Sequence, residues 1–109
     1  MKWWDDLWLN EGFASYVEFL GADHVSDRHM KLPEYFILDP LTKGLERDSV
    51  STSHPLSFTI EKANEISEAF DSISYDKGAA VLKMMAAITG QESFFKAVNV
   101  GYPNCCFGI

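Results

Sequence analysis

The segment WWDDLWLNEGFASYVEFL, residues 3–20, constrains the fold more than any other part of the chain. Trp4, Leu7, Trp8, Phe13, Ala14, Val17, Phe19 and Leu20 put apolar groups on nearly every side of one helix. That distribution marks a buried helix rather than an amphipathic surface one. In its middle stands Glu11. Its helical neighbours three and four positions away are Leu7, Trp8, Ala14 and Ser15. An unpaired charge in such surroundings costs several kcal/mol, so the carboxyl is protonated, meets a base or binds a metal ion. The helix supplies no base: Lys2 precedes it, and the next is Arg28. A solvent gap beside Glu11, or a lysine brought in from a distance, satisfies the spacing equally well.

The rest of the chain also reads as helix. Asp5 or Asp6 caps the first helix, and Gly21 stops it after Leu20. Residues 22–32 are polar and read as a connection. A second helix starts with Pro33 in its first turn and carries Ile37, Leu38, Leu41 and Leu45 at helical spacing, with Pro40 set to kink or split it. SVSTSHPLS, residues 49–57, is loop. Ile60, Ala63, Ile66 and Phe70 predict a short helix over 60–70. A stronger one begins at Asp71 or Ser72, lines one face with Tyr75, Ala79, Leu82, Met85 and Ala86, and ends at Gly90. Gln91 to about Val98 forms a last short helix. No alternating strand pattern occurs, so the expected class is all-α. VGYPNCCFGI, residues 100–109, reads as an irregular tail after a domain spanning residues 1–99.

Composition excludes several partners. The 109 residues make one small domain, and a 47% hydrophobic content is enough for a core. Nine basic against sixteen acidic residues give 9 − 16 = −7, which argues against nucleic acid and against an anionic membrane surface. No stretch approaches the roughly 20 apolar residues of a membrane span. The opening MKWWDD lacks the apolar run of a signal peptide, and aromatics so early read like the interior of a larger protein. Cys105 and Cys106 are adjacent, a spacing that rarely meets disulfide geometry. Localisation and oligomeric state have no signal here.

Three stretches carry a resemblance. WWDDLWLNEGFASYVEFLGAD closely resembles the segment that follows the zinc-binding helix of aminopeptidase N-like zinc metallo-aminopeptidases, a gluzincin family. STSHPLS and FDSISYDKGAAVLKMM extend the likeness, in the family's order, from Met1 to about Asn99. The resemblance implies the helical part of a thermolysin-like zinc peptidase catalytic domain, incomplete, from an enzyme that removes N-terminal residues from peptide substrates. In that family HExxH supplies two zinc-binding histidines and a general-base glutamate, and the Glu of an NEGFA-type motif is the third ligand. It therefore implies that Glu11 is a zinc ligand. It likewise implies that Tyr75, in Ser74-Tyr75-Asp76-Lys77-Gly78, donates its hydroxyl to the oxyanion of the reaction. Small Gly78 and Ala79 would leave room over the ring for substrate. Membrane anchoring is common among such enzymes, but this sequence shows no anchor.

The resemblance also exposes gaps. No His-Glu pair occurs anywhere, so HExxH is absent, and so is the GxMEN-type stretch that recognises a free α-amino group. His24, His29 and His54 do not replace them: all three read as solvated loop histidines, with a weak surface metal site at His24, His29, Asp23 and Asp27 the lesser alternative. Glu18, two turns beyond Glu11, reads as a second hydrogen-bonding acid or an ordinary boundary residue. The expectation is a chain inactive by itself. The rival expectation is a non-catalytic helical interaction module, presenting Trp3, Trp4 and Trp8 as an exposed patch.

Overall fold

A computed structural model describes residues 4–101, with side chains described as far as Asn99; Trp3, Cys105 and Cys106 lie outside this range. Among the described residues every regular element is helical. A short 3-10 turn, Trp4–Asp6, leads into α1, Leu7–Val25. Then come α2, Leu32–Phe36, a π turn over Ile37–Leu41, and α3, Thr42–Asp48. After a loop follow α4, Ala63–Ala69, a second π turn over Ile73–Lys77, α5, Gly78–Thr89, and α6, Gln91–Gly101. No helix among them is long and apolar enough to cross a membrane.

Several boundaries differ from the sequence expectation, each for a physical reason. Gly21 does not stop α1, which continues to Val25 with open space around the missing side chain. The chain leaves the helix only where Asp27 and Arg28 adopt left-handed backbone angles. Asp5 and Asp6 do not cap α1. Their carboxylates accept the Ile60 N–H at 2.9 Å and the Ser57 hydroxyl at 2.9 Å, tying residues 57–60 to the chain start. Pro40 splits the second helix as expected: it sits in the wider turn over Ile37–Leu41, which separates α2 from α3 and accommodates the missing N–H. Glu65 accepts the backbone N–H groups of Glu61 and Lys62 and so starts α4 later than expected. The last helix runs on to Gly101.

The buried stripes follow shape as much as hydrophobicity. Between residues 32 and 48 the core receives Leu32, Phe36, Pro40 and Gly44, spaced by four, while Ile37, Leu38 and Leu45 are exposed. The main cluster joins Tyr16 of α1, Phe36 of α2, Ala79, Ala80, Leu82 and Ala86 of α5, and Phe94 of α6. Met85 stays outside, 47% exposed. A second cluster of Leu7, Ile60 and Ala69 closes the other end, with Trp4 packed against it. Trp4 also meets Phe70 at 6.3 Å between ring centroids, and Trp8 packs against the main cluster. Neither tryptophan forms the free patch expected of an interaction module.

Two close approaches fix the centre. Gly12 of α1 meets Gly78 at the start of α5: a Cβ on Gly12 would lie 2.7 Å from the Gly78 carbonyl carbon and 2.9 Å from its Cα. Gly44 of α3 likewise presses on Lys77, where a Cβ would lie 2.9 Å from the backbone nitrogen. Both neighbours are backbone and have no rotamer to yield. We expect Gly12→Ala to cost about 2–3 kcal/mol of stability through overpacking. Gly21→Ala, in open space mid-helix, should instead add about 0.8 kcal/mol. Urea unfolding followed by circular dichroism measures both, and equal midpoints for the two variants would contradict the crossing.

Candidate active site

Glu11 immediately precedes Gly12 on α1, and Tyr75 lies in the π turn three residues before Gly78. The contact between the two glycines thus sets how closely their neighbours stand, and the two side chains meet. The Tyr75 phenol is held above its ordinary pKa, first by burial, then by the negative charge of Glu11, then by a side-chain hydrogen bond with that carboxylate. The carboxylate thus stands near enough for its charge to act on the phenol's proton. Glu11 is half-buried and has no ion pair among the described residues. Of the partners open to a carboxylate in this helix, the described residues supply a neutral hydroxyl rather than a base.

The surroundings are tight. Gly78 receives Gly12 and the Trp8 carbonyl, and Ala79 is fully buried in the core. These small residues admit a neighbouring helix instead of opening room over the Tyr75 ring. One turn before Glu11, the Trp8 indole N–H is buried without a hydrogen-bond partner among the described residues. Glu18 is exposed, as are His24 and His29. No group of three or more His, Cys, Asp or Glu able to hold a metal is found among the described residues, so the surface alternative at His24 and His29 has no support. A zinc centre takes about three to four protein donors, of which Glu11 would be one.

His54 departs from the solvated-loop reading. Its side chain is 21% exposed, and Nε2 lies 3.0 Å from Oδ2 of Asp71. Arg47 Nη2 reaches the same oxygen at 3.2 Å. The other Asp71 oxygen accepts the N–H groups of Ile73, at 3.0 Å, and Ser74, at 3.3 Å, and so caps the turn that bears Tyr75. On the far side of that turn, Lys77 Nζ lies 2.9 Å from Asp48, whose carboxylate also accepts the Ser53 hydroxyl at 2.7 Å. The hydrogen bonds from Lys77 and then Ser53 hold Asp48 below the usual carboxylate range. The loop containing STSHPLS therefore grips the Tyr75 turn at both ends. Only the occurrence of STSHPLS and FDSISYDKG as family-like stretches hinted at a link between them.

The Glu11–Tyr75 contact has a measurable consequence. A phenol whose pKa is raised by folding contributes stability that is complete below the unfolded value of about 10 and is lost as pH rises through the folded value. In Glu11→Gln the Tyr75 midpoint should fall toward the ordinary value yet stay above it, because burial remains the largest cause. Titration of carbon-13-labelled tyrosine by NMR measures this. An unchanged midpoint would contradict the contact.

Comparison with known proteins identifies the family. Residues 1–102 match the Peptidase family M1 domain. The chain is 52% identical over 99 residues to aminopeptidase N of Haemonchus contortus, with 91% of this chain and 10% of that protein covered. It is 46% identical over 101 residues to aminopeptidase N of Canis lupus familiaris, covering 90% of this chain and 10% of the relative. Leucyl aminopeptidase of Saccharolobus solfataricus is 42% identical over 98 residues, with 90% of this chain and 12% of the relative aligned. The chain thus spans about a tenth of the length of these relatives. On the family match and these identities together, it belongs to peptidase family M1.

Proposed function

We propose that this chain forms part of the catalytic centre of a zinc-dependent aminopeptidase that hydrolyses N-terminal residues from peptides. In this reading Glu11 is a metal ligand and Tyr75 the oxyanion donor. The observation that carries it is the convergence of the Glu11 carboxylate with the Tyr75 hydroxyl, from two separate motifs, across the Gly12–Gly78 contact. The names of the relatives, aminopeptidase N and leucyl aminopeptidase, favour the same chemistry.

Glu11 suits a cation. It is half-buried beside Trp8 and Leu7, without an ion-pair partner among the described residues, and a divalent ion would compensate its charge. When bound, zinc would polarise the scissile carbonyl and lower the pKa of a water molecule. The two histidines and the general base that complete such a centre belong to HExxH, which this sequence does not contain. Tyr75 performs a separable task. A phenol is already protonated at neutral pH, and the upward shift leaves it so, giving Tyr75 a proton to offer when negative charge develops on the substrate carbonyl oxygen.

Two experiments test the reading. The purified chain should show no turnover of an aminoacyl-nitroanilide with or without zinc, and chelator-sensitive turnover would overturn the view that an essential base is missing. Residues 1–99 placed in a longer aminopeptidase of the family, in exchange for the matching segment, should support activity. In that chimera Glu11→Gln should lose bound zinc by metal analysis. Tyr75→Phe should keep zinc and KM while kcat falls about 100- to 1,000-fold. Undiminished kcat in Tyr75→Phe would remove the donor role.

A further inference from the structure

His54 and Asp71 lie outside the chemistry assigned above, yet they join the STSHPLS loop to the Tyr75 turn. We propose that His54 is a positioning residue for Tyr75, acting through the Asp71 carboxylate, and that its protonation state adjusts how the Tyr75 turn is seated. The importance of this for catalysis rests on the donor role proposed for Tyr75, but the coupling itself does not.

The ring of His54 faces an acceptor on each side. Nδ1 lies 2.8 Å from the Pro55 carbonyl oxygen, and Nε2 lies 3.0 Å from Oδ2 of Asp71. Neither oxygen can donate. Only the doubly protonated ring therefore serves both contacts, and loss of either proton turns a nitrogen lone pair toward an oxygen. Phe58, 4.5 Å away between ring centroids, packs against the imidazole and limits its escape.

Among the described residues, Asp71, Arg47, Asp48 and Lys77 are the charged groups that bear on His54. Asp71 accepts from it directly, and Arg47 shares the same carboxylate oxygen. Asp48 is close enough for its carboxylate to respond to the imidazolium, and Lys77 neutralises Asp48 in turn. Arg47 keeps its charge throughout, so loss of the His54 proton shifts Asp71 rather than freeing it.

A shift of Asp71 has a direct path to Tyr75. One carboxylate oxygen caps Ile73 and Ser74, and the Asp71 backbone carbonyl accepts the Tyr75 N–H at 3.1 Å. The other end of the turn cannot follow freely, because Lys77 is pinned by Asp48 and by Gly44 pressing on its backbone. Movement at Asp71 is thus taken up between the two pins, where Tyr75 sits.

NMR of the whole chain with labelled tyrosine and histidine tests this. As pH is varied, the ring-carbon signal of Tyr75 should shift in step with the ring signals of His54. His54→Gln should abolish that shift, and His24→Gln, at an exposed site, should leave it. A Tyr75 signal that stays flat while His54 titrates overturns the proposal in the unaltered protein, whatever the fate of the variants. A shift over that pH range that survives in a folded His54→Gln chain overturns it equally. The donor role is read separately by kcat of Tyr75→Phe, so failure of one does not imply failure of the other.

Discussion

The structure depends on backbone meeting backbone where Gly12 of α1 crosses Gly78 at the start of α5. No side chain intervenes, and a single methyl on Gly12 would sit well inside contact distance of main-chain atoms. Such proximity is open only to glycine, and it decides where everything nearby stands. Glu11 precedes one glycine and Tyr75 lies just before the other, so a steric contact between helices becomes a chemical contact between an acid and a phenol. The second crossing, Gly44 on Lys77, holds the same turn from behind.

The electrostatics then follow from placement. A carboxylate among tryptophan and leucine needs compensation, and the described residues give it only a hydrogen-bond donor. That donor is altered in return, for burial and the neighbouring charge both favour the neutral phenol. Further out the pattern reverses. Asp71 and Asp48 are surrounded by donors and cations, from Arg47, His54, Ser53 and Lys77, and they organise backbone rather than chemistry. The turn bearing Tyr75 is thus fastened by compensated acids while facing an uncompensated one.

Much of this was legible in the sequence, and the failures are instructive. The all-helical class and the long first helix could be read because they rest on local periodicity and on motif likeness, although only Leu7, Gly12 and Tyr16 of that helix are buried. The face buried by the second helical stretch could not. Ile37, Leu38 and Leu45 are the more apolar residues, yet Pro40 and Gly44 go inward, because the neighbouring turn demands close approach more than hydrophobic area. The two π turns were invisible for a related reason. Each inserts a wider step into a run whose side chains still suit an α-helix, and only tertiary packing selects it. His54 was misread because its partner Asp71 is distant in sequence, and spacing rules address neighbours. Asp5 and Asp6 stand beside the nearest helix start, yet their partners lie more than fifty residues away.

The glycine crossing also bears on how such a segment tolerates change over evolutionary time. Where two functional groups are separated by interlocked side chains, every alteration of those side chains redraws the gap between them. Here the spacer is the peptide skeleton itself, whose dimensions do not vary from one sequence to another. Aromatic and aliphatic packing elsewhere in the helices can be exchanged piece by piece, and the acid and the phenol will keep their separation as long as those two positions remain bare.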